Sequence, residues 1–417
     1  MTGRISTNQI FGQGINKMMS LTQAVNDTQL KISTGKRILT PADDPVASTR
    51  VLQLDQEIAL TNQYQNNTIY VTSRLQQEEG IISGIEDGIS RIRELTVAAG
   101  NGAYTMDDRK SIALEVKQRV EELFTNMNKK DSNGEYLFSG FNGQTQPFVK
   151  NPGGGYKYQG DEGQRFLQIA TTTTVATSDS GKSLFLDIDA TKNTFNTYGF
   201  DTNTGKPTPV ISSGITTDQE KLDALFPDDA IIEFNHEFDV EPPKANYTVR
   251  RRSDNHVIDG LNNVPFSSNG TIEFSGMQIS ITGSPNTGDN FVIQTTQKQG
   301  ILDTFEKFLY GLENLEDNPD DRNTLSNLLD DTLTNLDSTT VNISEVRAQI
   351  GARLNTTEST ENLHAELKLV AQEVRSKIAD IDFAEAVSQL QMESFVLEAS
   401  QQSYAKVTAL SLFDYLR

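Results

Sequence analysis

Apolar residues recur at a helical spacing over long stretches near both ends of the chain. In the C-terminal part, alternating steps of four and three residues lead from Leu325 to Ile381, and eleven of the seventeen positions reached are apolar. This is the spacing of the contact positions in a coiled coil, so it predicts one long helix packed along partner helices. A straight helix over that span would be about 85 Å long.

The first third of the chain carries a matching pattern that supplies those partners. It predicts one helix over residues 51–99 and a second that begins with Thr105 or Asp107 as its cap. Gly84 and Gly88 inside the first helix each cost about 1 kcal/mol in helix propensity, so packing or a close backbone approach must offset them. The apolar stripe of the second helix is Ile112, Val116, Val120, Leu123 and Met127.

Residues 135–300 follow a different pattern, in which β-branched residues alternate with polar ones and turn clusters such as NPGGG separate the runs. Because such alternation is typical of half-buried strands, this part is predicted to be strand-rich. The expected fold class is α+β multidomain: a long coiled-coil-like helical bundle formed by both chain ends, with an inserted β-rich domain. One inserted domain is preferred, and two subdomains split near Ser213 are the alternative.

The segment ISTGKRILTPADDPVAS, residues 32–48, interrupts the N-terminal helical pattern. The C-terminal pattern changes its register between Ile381 and Val387, and such a change locally bends or rewinds a superhelix. If the two chain ends pair antiparallel, the two irregularities lie side by side and form a joint. We expect its aspartates to begin the next helix as cap and first-turn acid. The joint residues are Gly35, Pro41, Asp43, Asp44 and Pro45.

The joint divides the helical part of the chain. We predict a terminal two-helix unit (1–42 with 384–417), a helical bundle with a hairpin (43–134 with 301–383) and the β-rich domain (135–300). Two helices of about thirty residues bury little apolar surface alone, so we expect the terminal unit to be disordered in the monomer and to bind other subunits. A self-contained four-helix bundle is the alternative. The predicted assembly residues are Met18, Leu21, Val25, Ile32, Phe383, Val387, Leu390, Leu397, Tyr404, Leu410, Leu412, Phe413 and Leu416.

Charge and composition exclude several kinds of partner. The formal net charge of −21 would repel the phosphates of nucleic acid and an anionic membrane surface, so we expect neither as a partner. The chain has no cysteine, which excludes disulfides, thiolate metal sites and a cysteine nucleophile. No signal-peptide pattern is present, so we expect any export to proceed without a cleaved signal.

The sequence contains only weak candidates for a catalytic site. HEFDV at residues 236–240 begins like the zinc-protease motif HExxH, but Val240 stands where the second histidine is needed. The other histidines, His256 and His364, lie far from it in the sequence. We therefore expect no catalytic residue, no cofactor and no metal site.

Four short segments are specific enough to suggest a family. They are RISTNQIF near the start, ISTGKRILTPADDPVAS, GEYLFSGF at residues 134–141 and the final LSLFDYLR. Together they resemble the flagellar hook-associated protein 3 family, the hook-filament junction proteins of the flagellin-like superfamily. Flagellins share the terminal helices, but the proline directly after two aspartates, the YLFSG segment and the FDYL ending favour the junction family.

The resemblance implies a structural adaptor of the bacterial flagellum that is not an enzyme. Such a protein assembles as a ring-like layer of its own copies and joins hook-associated protein 1 to the flagellin filament. The resemblance also implies a cytoplasmic export chaperone, type III export, and an extracellular location at the hook-filament junction. Two alternatives stay open: flagellin itself, and a flagellin-like protein with a hydrolase in the inserted domain.

Deleting residues 405–417 should leave the thermal transition of the monomer nearly unchanged but abolish assembly. The reason is that apolar side chains at a chain end are expected to be buried by other subunits. Calorimetry of the monomer and sedimentation of assembled material measure the two effects. A large loss of monomer stability would instead support the self-contained bundle.

Overall fold

The computed structural model describes residues 7–200 and 202–415 of the chain. Contacts between residues divide the chain into two compact units. The terminal unit consists of Met1–Asn66 with Ser359–Arg417, and the central unit is Asn67–Glu358. Each unit has its own packing and is described by itself.

Eight α-helices occur in the described residues, and the boundary between the units falls within the two longest. The division into three domains predicted from the sequence stays a prediction. None of the helices in the described part offers an apolar stretch of the length that a bilayer crossing requires. The helices are α1 (Thr7–Thr34), α2 (Pro45–Ala99), α3 (Met106–Met127), α4 (Gly181–Phe185), α5 (Gln219–Leu225), α6 (Ile301–Asn314), α7 (Pro319–Ala379) and α8 (Phe383–Tyr415).

The strands all lie within the predicted β-rich segment, and every strand pairing among the described residues is antiparallel. Helical ends around a strand-rich middle confirm the α+β fold class. The strands are β1 (Phe148–Lys150), β2 (Tyr156–Tyr158), β3 (Phe166–Ala170), β4 (Thr173–Ala176), β5 (Asp189–Gly199), β6 (Val210–Ile211), β7 (Ile215–Thr216), β8 (Ala230–Phe234), β9 (Asn246–Arg251), β10 (Val264–Pro265), β11 (Thr271–Phe274), β12 (Met277–Thr282) and β13 (Asn290–Lys298).

The N-terminus of α3 is held by a reciprocal cap. The Thr105 hydroxyl accepts a hydrogen bond from the Asp108 amide at 3.3 Å, and the Asp108 carboxylate accepts one from the Thr105 amide at 2.9 Å. These bonds satisfy backbone donors that the first helical turn leaves without partners. Thr105 is therefore the cap, one of the two residues predicted for that role.

A helical core of the central unit forms between α2, α3, α6 and α7. The predicted seam of α7 is largely buried here, and its buried threonines bond to their own helix. The buried hydroxyls of Thr332 and Thr339 each donate at 2.7 Å to the carbonyl oxygen four residues earlier. Threonine can therefore occupy buried positions of the seam without leaving its hydroxyl donor unsatisfied. Buried members of this core include Ile85, Ile89, Val116, Leu123, Phe305, Phe308, Leu336 and Ile343.

The β-rich segment is divided between two hydrophobic cores. Residues 137–188 join the helical core, where the ring of Phe185 lies 5.4 Å from that of Phe138 and 6.0 Å from that of Phe148. A second core lies between two larger sheets, one in the order β10-β9-β8-β13-β5 and one formed by β11, β12, β6 and β7. Its buried residues include Phe195, Ile232, Phe234, Val249, Ile279, Ile281 and Phe291.

Gly84 and Gly88 of α2 differ in their surroundings, and this gives a test of the helical core. A Cβ atom at Gly88 would lie 2.8 Å from Cδ2 of the buried Leu123, whereas one at Gly84 would meet nothing within 4 Å. Gly84→Ala should therefore stabilise the protein by up to about 1 kcal/mol through helix propensity. Gly88→Ala should lose that gain to overpacking and destabilise the protein.

Urea unfolding followed by circular dichroism measures both variants against the parent chain. Gly84→Ala is the matched control for Gly88→Ala, since both change the same helix by the same methyl group. Equal stabilisation by the two alanines would show that α3 does not pack against α2 as described.

Candidate assembly interface

The joint predicted from the sequence is a place where two helix breaks face each other within the terminal unit. Helix α1 ends at Thr34, and Gly35 follows with φ +71°, a conformation that ends helices and favours glycine. The Ile381 amide donates to the Gly35 carbonyl oxygen at 3.0 Å, and the Arg37 amide donates to the Ala379 carbonyl oxygen at 2.8 Å. The chain is thus tied across the joint by backbone hydrogen bonds.

The two aspartates of the joint have separate tasks. Asp43 accepts hydrogen bonds from the amides of Thr40, at 2.8 Å, and Leu39, at 2.9 Å, and these bonds hold its pKa below the ordinary value. Asp44 accepts the Ala47 amide at 3.0 Å and so caps α2. Pro45 is the first residue of α2, where its missing amide hydrogen is no loss.

The C-terminal register change takes the form of an interruption. The sequence predicts a bent or rewound superhelix, but α7 ends at Ala379 and α8 begins at Phe383. The Asp382 carboxylate accepts the amides of Ala384, at 2.9 Å, and Glu385, at 3.3 Å, and thereby caps α8. This cap supplies acceptors for backbone donors that the start of α8 leaves without partners.

Helices α1 and α8 form an antiparallel pair on one side of this joint. The rings of Phe11 and Tyr404 meet edge to face with centroids 6.1 Å apart, and the Thr28 hydroxyl donates to the Glu393 carboxylate at 2.8 Å. A Cβ atom at Gly14 would lie 2.9 Å from the Tyr404 ring, so glycine permits this close contact. The contacts follow each other in opposite chain directions, as expected for antiparallel helices.

On the other side of the joint, the first turns of α2 pair with the last turns of α7 in the same antiparallel sense. Arg375 forms an ion pair with Asp55 at 2.5 Å, and the rings of Tyr64 and His364 stack with centroids 5.7 Å apart. His364 is buried in this seam, with an aromatic neighbour in place of a metal ligand set. The terminal unit therefore contains two helix pairs with a hydrogen-bonded joint between them.

The predicted assembly residues divide into two groups by exposure. Phe383 and Val387 are 56% and 42% exposed. The others that the structure describes are half-buried in the α1–α8 pair, so within one chain their stripes already contact each other in part. Their role toward other subunits stays a prediction, as does disorder in the monomer. The half-buried residues are Met18, Leu21, Val25, Ile32, Leu390, Leu397 and Tyr404.

Four predicted tail residues cannot be placed in the interface. Helix α8 includes Leu410, Leu412 and Phe413, but their side chains lie outside the described residues, and Leu416 lies outside them entirely.

Sequence reasoning missed a second apolar face on the same two helices. Met19, Met392 and Phe395 are 65%, 67% and 69% exposed. At roughly 100° per residue these side chains point well away from the half-buried stripe of their own helix. A search of the sequence for a second apolar stripe would have found these residues. A single contact between the two helices does not account for large apolar residues on their other faces. The other exposed members of this face are Ile15, Leu30, Val396 and Val407.

Models of known families match three parts of the chain. The bacterial flagellin N-terminal helical region matches residues 5–143, and the bacterial flagellin C-terminal helical region matches residues 333–416. The D2-like domain of flagellar hook-associated protein 1 matches residues 212–295.

The chain is similar over nearly its whole length to flagellar hook-associated protein 3 of Escherichia coli K12, with 23% identity over 412 residues, 99% of each chain. Its similarity to the Salmonella typhimurium protein of the same name is 30% over 185 residues, which are 44% of this chain and 57% of that one. A crystal structure of hook-associated protein 3 from Legionella pneumophila has a TM-score of 0.53 at 28% identity and covers 79% of this chain and 98% of its own. A second Legionella pneumophila structure, of the flagellar junction protein, has a TM-score of 0.50 at 28% identity, with 79% and 99% covered.

Similarity to flagellin is confined to a smaller part of the chain. Phase 1 flagellin of Salmonella naestved is 29% identical over 135 residues, which are 32% of this chain and 27% of the flagellin. The full-length match therefore decides between the two. Along nearly its whole length the chain is similar to flagellar hook-associated protein 3, and about a third of it is similar to flagellin. The two flagellin-like matches take in α1 to α3, the greater part of α7, and α8, so they include both helix pairs of the terminal unit.

Two glycines of α1 give a test of the α1–α8 pair. Gly14→Ala should disturb the pair because the new methyl group would meet the Tyr404 ring, whereas Gly12→Ala meets nothing within 4 Å. We expect Gly12→Ala to raise the helicity of the chain slightly and Gly14→Ala to make α1 and α8 more sensitive to protease.

Circular dichroism and limited proteolysis of the full chain measure the two effects. If both alanine variants resist protease equally well, Tyr404 does not pack over Gly14 in solution.

Proposed function

We propose that this protein is a structural adaptor of the bacterial flagellum, which assembles as a ring-like layer and joins hook-associated protein 1 to the flagellin filament. The observation that carries the proposal is the full-length similarity to hook-associated protein 3 in a chain whose terminal helices expose a second apolar face. A flagellin would account for the helical ends only. The D2-like match to hook-associated protein 1 in residues 212–295 also favours a hook-associated protein.

The apolar face explains why such a protein would act as a layer of its own copies. Exposed contiguous apolar surface on helices is a mark of protein contact, since water favours its burial. Met19 and Phe395 lie on helices that each leave one face without a cover inside the chain. We propose that these faces are buried by neighbouring copies and by the proteins on either side of the layer. The conformational entropy lost when the terminal helices become ordered is then offset by burial of this surface at assembly.

The joint suits a part that connects two different structures. Backbone hydrogen bonds of Gly35 and Arg37 tie its two sides together, and no helix runs continuously through it. We propose that the α1–α8 pair can take a packing different from that of the α2–α7 pair, which lets one layer contact unlike neighbours.

The same exposed apolar face has a consequence for the protein before it assembles. A chain with an exposed apolar face on its terminal helices needs cover in the cytoplasm, and we propose an export chaperone for this role. We propose export without a cleaved signal peptide and a final place outside the cell at the hook-filament junction.

An inserted hydrolase is the alternative from a different class of protein. His236 precedes a short 3-10 helix at Glu237–Asp239, and Val240 follows it in extended conformation. Residues 7–200 and 202–415 contain no group of three side chains of the types that bind metal ions placed to hold one. We propose that the protein is not an enzyme; stoichiometric zinc in the purified protein, with casein cleavage, would reverse that conclusion.

Isolated hooks that carry hook-associated protein 1 test the proposed function directly. The purified protein should add a short layer to the hook end, and flagellin should then polymerise only on hooks that carry the layer. Electron microscopy measures both steps. Long filaments formed by the protein alone would identify a flagellin, and filament growth on untreated hooks would remove the adaptor role.

Phe395→Glu should abolish binding to these hooks without changing the melting temperature of the monomer. The side chain is 69% exposed, so the monomer loses little, but in the layer an unpaired carboxylate would be buried. We expect at least about a thirtyfold loss of binding, equivalent to roughly 2 kcal/mol. Gln401→Glu is the matched control, an exposed position of the same helix about 120° around its axis from Phe395 that gains the same charge. Equal binding by both variants would place Phe395 outside the interface.

A further inference from the structure

A carboxyl group is completely buried inside the central unit. Glu78 of α2 has no solvent-exposed surface. Its Oε1 accepts the Asp179 amide at 3.0 Å, while its Oε2 has no hydrogen-bond partner. An ionised carboxylate in such a place would carry a charge away from water with half of its acceptor capacity unused.

Charged groups on the elements packed around Glu78 are already paired with one another. Asp179, in the segment before α4, accepts hydrogen bonds from the Arg353 guanidinium of α7 at 2.7 and 3.0 Å. Arg74, one turn earlier on α2, pairs with the buried Asp131 of the segment after α3. The remaining charged pair of the cluster is Arg165 with Glu135.

This cluster is electrically balanced without Glu78. Three arginines face three carboxylates, so no cation in the cluster is left over for a fourth carboxylate. Burial raises the pKa of Glu78 well above its ordinary value of 4.5, and the neighbouring charge of Asp179 raises it further. The Asp179 amide, Arg353 and Arg74 act in the opposite direction with smaller effect.

We propose that Glu78 is a neutral carboxylic acid in the folded protein, and that loss of its proton as the pH rises loosens the segment 177–180 from α2. In the neutral form the carboxyl group accepts the Asp179 amide without repelling the Asp179 carboxylate. In the ionised form two like charges face each other in the interior, and the segment that carries Asp179 is the part able to move away. The fold therefore contains a proton site that couples this segment to the helices.

The sign of the pH effect follows from proton binding. Above the ordinary pKa of 4.5 the unfolded chain has lost the Glu78 proton, whereas the folded chain keeps it. Folding then takes up one proton, so the unfolding equilibrium constant should rise by about tenfold per pH unit until Glu78 ionises in the folded protein. Stability from this site is thus lost as the pH rises.

Glu78→Gln tests the proposal, because glutamine keeps the acceptor and the shape of the side chain but cannot ionise. Urea unfolding of the full chain between pH 5 and pH 9 should show that the parent loses stability relative to Glu78→Gln as the pH rises. Other titrating groups act on both chains and cancel in the comparison. Glu345→Gln, an exposed position of α7, is the matched control and should run parallel to the parent.

Two spectroscopic measurements report on Glu78 more directly. At pH 5, above the ordinary pKa of 4.5, the folded parent protein should show an infrared band of a protonated carboxylic acid that is weaker in Glu78→Gln. Exchange of the Asp179 amide hydrogen in the parent, corrected for its intrinsic rate, should accelerate as the pH rises and Glu78 ionises. A constant stability difference between parent and Glu78→Gln across the pH range, or absence of the acid band in the folded parent, would overturn the proposal.

Discussion

The structure depends on one constraint: a long helix with an apolar stripe is stable only when another helix covers that stripe. In the central unit this cover comes from the chain itself. Helices α2, α3, α6 and α7 bury a continuous set of large side chains, and ion pairs such as Arg347 with Glu79, at 2.6 Å, lie at the edge of the seam. Burial of this kind supplies most of the stability of a helix, and its intrinsic propensity supplies little.

The terminal unit satisfies the same constraint only in part. Helices α1 and α8 each present one half-buried stripe to the other and leave a second apolar face exposed. For the proposed adaptor this incomplete cover has a use, because neighbouring copies would supply the missing surface on assembly. At the joint, caps and backbone hydrogen bonds satisfy the groups that two helix breaks expose.

Polar groups in the interior are held by hydrogen bonds and ion pairs, whereas the apolar stripes are held by helix packing. Buried threonines of α7 donate to their own helix, and arginines of the central unit pair with carboxylates from loops that the helices alone would not hold in place. Breaking such a pair leaves a buried charge without a partner, which costs more than the pair contributes. Glu78 fits this network as a neutral acid, because burial, together with the charge balance that organises the loops, favours its protonated form.

The sequence by itself determined the long helices, the break after α1, the strand-rich insertion and the family resemblance, because each follows from a local period or a short motif. It placed the apolar stripes of α1 and α8 and an aspartate cap on α2 for the same reason. The predicted first-turn acid was wrong, because Asp44 is the cap and Asp43 precedes the helix, where it accepts amides of the turn before it. Tertiary structure decided which stripes meet, which glycine approaches a neighbour, and that residues 137–188 join the helical core. It also decided the second face at Met19 and Phe395 and the balance around Glu78. These depend on partners tens to hundreds of residues away in the chain, and no local period records where such partners lie.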